Sequence, residues 1–227
     1  MSLIDHFFAR LAPYDCLGCG TEGRLICAAC RTSMPVASER CYRCYIASPG
    51  SLTCVDCLTP SSPRSVRTAT PYKGIAKDVL WKLKSGGAQA AAREMASLLL
   101  PFIPRSPYSP GGPDVLVVHL PTATTRIRQR GYDQARLLAR ALAKQARLPY
   151  ADVLARSGQA HQVGATRAER LIQLSDAFRV SSAWQVRGAH IILVDDVLTT
   201  GASFEAATKV LKAAGAAQVD AIAFARA

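Results

Sequence analysis

From residue 74 onward the apolar positions follow two alternating rhythms. Between 74 and 84, and again between 88 and 100, the spacing predicts helices, the second rich in alanine around Met95, Leu98 and Leu99. Residues 115–120 form a short apolar run and predict a strand, followed by a helix over 135–147. Ile191, Ile192, Leu193 and Val194 predict a strand buried on both faces. A helix over 203–214 and a last strand over 219–224 complete the pattern. Strands alternating with helices predict an α/β fold in which helices flank a parallel sheet. Between the second helix and its strand, Pro101, Pro104, Pro107, Pro110 and Pro113 recur at every third position, the period of a polyproline II helix. That stretch reads as a stiff surface connector, with a ligand for an aromatic groove as the alternative.

The first 57 residues follow a different rule. All eight cysteines lie there, in four identically spaced pairs: Cys16/Cys19, Cys27/Cys30, Cys41/Cys44 and Cys54/Cys57. Two residues between thiolates let one tight turn present both sulfurs to a tetrahedral Zn²⁺, and two such turns close a structural site. Eight sulfurs therefore predict two structural zinc ions. Disulfides are disfavoured in a reducing compartment, and fourfold repetition argues against a redox motif. Sequential pairing leaves spacers of seven and nine residues, and interleaved pairing leaves 21 and 23. The repeat reads as one unit used twice, which favours the sequential arrangement. A module this small depends on its metal to fold. The Thr-Pro-Ser-Ser-Pro-Arg-Ser stretch at 59–65 marks the expected boundary, giving a zinc module over 1–62 and a larger domain over 63–227.

Chemistry concentrates in 191–203, IILVDDVLTTGAS. The apolar run brings Asp195 and Asp196 to the carboxyl end of a strand, where open α/β sheets bind ligands. Thr199, Thr200, Gly201, Ala202 and Ser203 then turn into a helix. Small residues let backbone N–H groups close around an anion, the helix start adds partial positive charge, and three hydroxyls can donate. A phosphate cradle beside two carboxylates suits a sugar phosphate, whose ribose hydroxyls the acids would hold. A nucleotidase metal motif is the competing reading, but the chain has no Gly-x-x-x-x-Gly-Lys-Ser/Thr loop to accompany it.

This segment resembles the thirteen-residue phosphoribosyl-pyrophosphate (PRPP) motif of type I phosphoribosyltransferases. The resemblance implies a parallel-sheet core, Mg²⁺ bound with PRPP, ribose contacts from Asp195 and Asp196, and a 5′-phosphate held by the loop. A second block, LPTATTRIRQRGYDQ at 120–134, is similar to the Arg-Gly-Phe-Asn-Gln block of the ComF family. By that resemblance Thr122, Thr124, Thr125 and Arg126 are candidates for the pyrophosphate. Asp133 stands where the family commonly has asparagine, which adds a negative charge beside them. Tyr72-Lys73-Gly74 and Leu83-Lys84 resemble the family's hood, and 162–170 with Ala177-Phe178 its flexible loop. The resemblance covers nearly the whole chain and implies handling of single-stranded DNA during uptake or utilisation. It leaves open whether phosphoribose is also transferred from PRPP to a base-like acceptor.

Charge locates the nucleic-acid expectation. The chain carries 28 basic residues against 16 acidic ones, a net +12. Residues 1–62 balance, with five of each, and eight zinc-bound thiolates would make that module acidic. The module is therefore a candidate for folding or for contact with other DNA-uptake proteins. Residues 126–187 hold twelve basic residues against four acids, with Tyr132, Phe178 and Trp184 among them. Basic tracks with stacking rings suit single-strand binding, and Arg126, Arg128, Arg130, Tyr132, Arg167 and Arg170 are the candidates. Taken singly, Phe178 and Trp184 read as core residues, and His119 as a packed strand-end histidine. No apolar run reaches the roughly 18–20 residues of a membrane span. The N-terminus lacks a basic segment followed by an apolar one, so a cytoplasmic protein is expected.

Overall fold

The computed structural model describes residues 14–85, 88–103, 114–156 and 177–227. Its centre is a five-stranded, wholly parallel sheet. Strands β1 (Val66–Pro71), β2 (Val115–His119) and β3 (Tyr150–Ala151) come first in the chain, and β6 (His190–Leu198) and β7 (Gln218–Arg226) last. Their order in space is β1-β7-β6-β2-β3. Two short antiparallel strands, β4 (Leu154–Arg156) and β5 (Phe178–Val180), pair outside the main sheet.

Helices cover both faces, and the strand residues alternate accordingly. Ile192 and Val194 of β6 pack with α2 (Ile75–Ser85), α3 (Ala88–Leu99) and α5 (Gln134–Ala146), through Leu83, Met95, Leu138 and Leu142. Ile191 and Leu193 face α7 (Ala202–Ala213) and the β4–β5 pair, meeting Phe204, Leu211 and Phe178. All four apolar residues of the run are fully buried, as a strand covered on both sides requires.

Three expectations change. The strand predicted at 191–194 runs on to Leu198, so Asp195 and Asp196 lie within it. Pairing with β7 sustains the extension, because Asp195 sits opposite Ala223 and Leu198 opposite Arg226. The segment after β2, which the resemblance implies is a pyrophosphate-binding loop, is in part helical: α4 spans Thr124–Arg130. No proline or glycine interrupts 122–130, and Gly131, left-handed at φ 79°, closes the helix by donating its N–H to Ile127 O at 2.7 Å. Trp184, in the short helix α6 (Ala183–Val186), is 79% exposed rather than in the core, whereas Phe178 is buried.

The cysteine-rich segment lies along the free edge of β1. Ala37 N–H donates to Ala69 O, Thr53 N–H to Arg64 O, and Arg67 Nε to Gly50 O. An open strand edge is a template for unwanted pairing, and these contacts cover it. One short helix, α1 (Ala28–Ser33), belongs to this segment, and its Arg31 reaches α3 through Ser97 Oγ at 2.7 Å.

Candidate functional site

Chain order reverses between β2 and β6: from β2 the chain moves outward to β3, and from β6 it moves the other way to β7. Such a switch point opens a crevice at the carboxyl ends of its strands. Here β2 stops at His119, opposite Val194, while β6 continues for four more residues. Leu120 N–H holds Val194 O at 2.8 Å, and the chain then turns away. Asp195 and Asp196 therefore line a step at the edge of the sheet, flanked by the two segments that follow β2 and β6.

The two carboxylates have different surroundings. Asp196 is buried and forms an ion pair with Lys84 Nζ at 3.0 Å, from the last turn of α2. Asp195 keeps an edge open to the crevice and accepts the Asp196 N–H at 2.7 Å. Burial, and next the Asp196 charge, hold the Asp195 carboxyl well above the ordinary range. Arg156, half-buried at the end of β4, feels this region too. Burial and then the Arg126 guanidinium lower its pKa, and Asp195 opposes them. Lys84 thus pairs with Asp196, and Arg156 lies within electrostatic reach of Asp195. Sequence reasoning placed Arg156 only in a basic tract; it had pointed to Lys84 through the hood resemblance.

Beyond β6, Thr199 and Thr200 are exposed, and Gly201 caps α7 in the left-handed conformation at φ 81°. Ala202 N–H lies 3.4 Å from Thr200 Oγ1. Ala202 and Ser203 open the helix, partly accessible to solvent.

After β2, the candidates divide. Thr122 is tied down, its N–H and hydroxyl donating to Asp133 at 2.9 Å each. Thr124, Thr125 and Arg126 form the exposed first turn of α4. Asp133 is no loose negative charge beside them. It is 8% exposed, caps α5 by accepting from Ala135 and Arg136 N–H, and so takes four hydrogen bonds in all. Arg128 is exposed, and Arg130 has a buried Nη1 without a hydrogen-bond partner among the described residues. Tyr132 is half-buried and donates its hydroxyl to Leu83 O at 2.6 Å. Arg167 and Arg170 lie outside the described residues, as do 104–113 of the proline stretch. His119 is packed, 3% exposed, with Nδ1 3.0 Å from the Tyr150 hydroxyl, and burial lowers its pKa.

The cysteines gather as the sequential arrangement requires. Cys16, Cys19, Cys27 and Cys30 form one group, Cys41, Cys44, Cys54 and Cys57 the other, each with its sulfurs within 4.8 Å of one another. All eight are free thiols. Sγ–Sγ separations of 3.7 Å (Cys19–Cys27) and 3.5 Å (Cys44–Cys54) match the edge of a tetrahedron, about 3.8 Å, set by Zn–S bonds of about 2.3 Å. The backbone N–H of Cys27 leads in drawing the Cys16 thiol down to about 6. At Cys41 burial acts upward, but N–H groups of Cys44, Cys54 and Arg43 outweigh it, again to about 6. Each group thus contains a thiol disposed to ionise, as a metal ligand must. Both fit zinc.

A separate cavity of about 840 Å³ lies at the amino ends of the strands, bordered by Asp114, Leu148, Tyr150 and Trp184. It is remote from the acid pair, and among the described residues none of the sugar-phosphate candidates lines it.

Comparison with known proteins follows this geometry. The phosphoribosyl transferase domain family matches residues 132–227, which contain the acid pair and the loop after it. The competence protein ComFC of Bacillus subtilis (strain 168) is 28% identical over 228 residues, covering 95% of this chain and 89% of that protein. The DNA utilization protein YhgH of Salmonella typhi is 28% identical over 201 residues, covering 86% and 87%. The chain is thus similar over most of its length to proteins named for competence and DNA utilization, and its residues 132–227 match a phosphoribosyl transferase domain. Among solved structures, the chain is similar to the glutamine PRPP amidotransferase of B. subtilis, with a TM-score of 0.39 and 18% identity over 59% of this chain. The match spans about a quarter of that enzyme, 26%. Among the described residues, no helix is long and apolar enough to cross a membrane.

Proposed function

We propose that this protein binds PRPP or a closely related sugar phosphate, together with Mg²⁺, and handles single-stranded DNA during DNA uptake or utilisation. The observation that carries the first part is convergence: two segments chosen separately by sequence meet across the one crevice that the strand order creates. Asp195 and Asp196 would take the ribose hydroxyls, and Thr199, Thr200, Gly201, Ala202 and Ser203 the 5′-phosphate. Thr124, Thr125 and Arg126, with Thr122 positioned by Asp133, would face the pyrophosphate. Lys84, Arg126 and Arg156 supply positive charge around this anionic ligand. Bound Mg²⁺ would neutralise part of the pyrophosphate charge. In this reading residues 1–62 are the zinc module and 63–227 the phosphoribosyltransferase-like domain.

The names of the relatives, competence and DNA utilisation, support the second part. So does a basic stripe along α5 and its C-cap: Arg136, Arg140, Lys144 and Arg147 are all exposed. The first three recur every fourth residue, about 6 Å apart along the helix, a ladder that a flexible phosphodiester chain can follow. Transfer of phosphoribose to a base-like acceptor is the second reading, favoured by the complete carboxylate pair with Lys84 against Asp196.

The test is an oligonucleotide titration across salt, with and without Mg²⁺-PRPP, with pyrophosphate followed in the same samples. Neutralising about six phosphates gives a log–log slope near −4. PRPP-dependent DNA affinity supports the binding role, and a flat salt response refutes it. Pyrophosphate release that requires an added base establishes transfer.

A further inference from the structure

The two cysteine groups make unlike contacts. Around the first, Gly18 lies against the Ile75 side chain, so close that an added Cβ would sit 2.6 Å from its Cδ1, and Arg31 bonds Ser97. These are contacts to α2 and α3. The second group faces α7 and the loop before it. Tyr42 and Arg43 are the two residues between Cys41 and Cys44, so closing the metal site determines where they stand.

Tyr42 is 1% exposed, and its ring covers Gly201: a Cβ there would lie 2.5 and 2.6 Å from two ring carbons. Its hydroxyl donates to Glu205 Oε1 at 2.5 Å. Arg43 forks onto the same carboxylate, Nε to Oε1 at 2.6 Å and Nη2 to Oε2 at 2.7 Å, while its Nη1 donates to Cys57 O at 3.0 Å. Arg226 Nη2 holds the Tyr42 carbonyl at 3.2 Å and stacks over Tyr45, 4.3 Å from the ring centre. One knuckle therefore grips Gly201 and Glu205 at once.

Two physical effects follow for an anion at the start of α7. Gly201 is left-handed and has no side chain of its own to hold it, so the Tyr42 ring restricts the loop. Glu205 lies in the first turn of α7, where an uncompensated carboxylate would repel a phosphate drawn to the same helix end. The bidentate Arg43 pair, with the Tyr42 hydroxyl, offsets that charge.

We propose that the second four-cysteine knuckle, through Tyr42 and Arg43, positions the 199–203 loop and cancels Glu205, so that metal at this site is linked to sugar-phosphate binding while the first site is not. The proposal rests on the reading of that loop as the phosphate cradle. Tyr42 and Arg43 are positioning residues and need not touch the ligand.

The test uses the full-length zinc-loaded protein in four forms: wild type, Arg43→Ala, Arg43→Ala with Glu205→Gln, and Arg31→Ala as the first-knuckle control. Hydrogen exchange of amides 199–204 is measured without ligand, and ribose 5-phosphate binding by calorimetry. Zinc content of two per chain verifies that the metal sites are intact. Arg43→Ala should speed exchange in the loop and weaken ribose 5-phosphate about tenfold, the scale of a charge at a helix end. The added Glu205→Gln should restore most of the affinity, which a merely structural contact would not do. Arg31→Ala should leave both readouts unchanged. Unchanged loop exchange in Arg43→Ala overturns the positioning role, whatever the ligand does. Faster exchange in Arg43→Ala, in a protein whose wild type does not bind ribose 5-phosphate, upholds the positioning and instead sinks the phosphate-cradle reading.

Discussion

Replacing Gly201 with alanine tests the packing of the 199–203 loop quantitatively, because Gly131 provides a matched control. Both glycines are left-handed, at φ 81° and 79°. An alanine in that conformation costs roughly 1–2 kcal/mol. At Gly131 an added Cβ meets nothing within 4 Å among the described residues, so there the backbone cost stands alone. At Gly201 the Cβ would also meet the Tyr42 ring at 2.5 Å. The ring cannot swing aside without breaking its hydroxyl bond to Glu205, and overpacking of this kind adds about 1–3 kcal/mol. For a chain of this size 1 kcal/mol corresponds to about 2–4 °C in melting temperature. Gly131→Ala should therefore lose about 2–8 °C, and Gly201→Ala about 4–20 °C. Parallel calorimetric scans and urea titrations give the difference. Equal losses in the two variants would show that Tyr42 does not pack on Gly201 in solution.

Three further outcomes follow from the same geometry. Asp195→Asn should melt higher than wild type at pH 7. The folded-state pKa of Asp195 is raised, so its stabilising protonation is complete below the unfolded value near 4 and is lost as pH rises; the advantage of the variant should therefore vanish near pH 3. Asp220 behaves in the opposite sense. Burial would raise its pKa, but hydrogen bonds from His190, Ser65 and Gln218 outweigh it and hold the pKa down. Its contribution is present above the unfolded value and falls away in acid, so Asp220→Asn should cost about 1–3 kcal/mol at pH 7 and progressively less below pH 4 in urea titrations. Elemental analysis of folded protein should return about two zinc ions per chain, and Cys44→Ser should remove one. A value near zero in folded wild type would contradict the zinc assignment.

Legibility differed from element to element for physical reasons. The β6 run stood out because both faces are buried and every position had to be apolar. β1 gave no such signal: it is an edge strand whose buried positions include Thr68 and Thr70, and it ends in proline. The strands β3, β4 and β5, of two or three residues, are too short to show a period. α4 lacks an apolar stripe, since Ile127 is its one aliphatic residue among threonines, arginines and a glutamine. The sequential cysteine grouping was readable from equal spacing alone. What those groups touch was not, because Tyr42 and Glu205 are 163 positions apart and Tyr42 fills a non-ligand position between Cys41 and Cys44. Asp133 misled for a related reason. A carboxylate beside a phosphate loop suggests repulsion until its four hydrogen bonds are seen.

In the proposed function the β2–β6 crevice binds a phosphorylated ribose through its two acids and the loop after them. Calorimetric titration of Mg²⁺-PRPP into wild type and into the Asp195→Asn, Asp196→Asn double variant tests it most directly. Saturable binding near one ligand per chain is expected in the wild type, and its loss in a variant that remains folded with two zinc ions. Equal binding by both proteins, or none by the wild type, would contradict it.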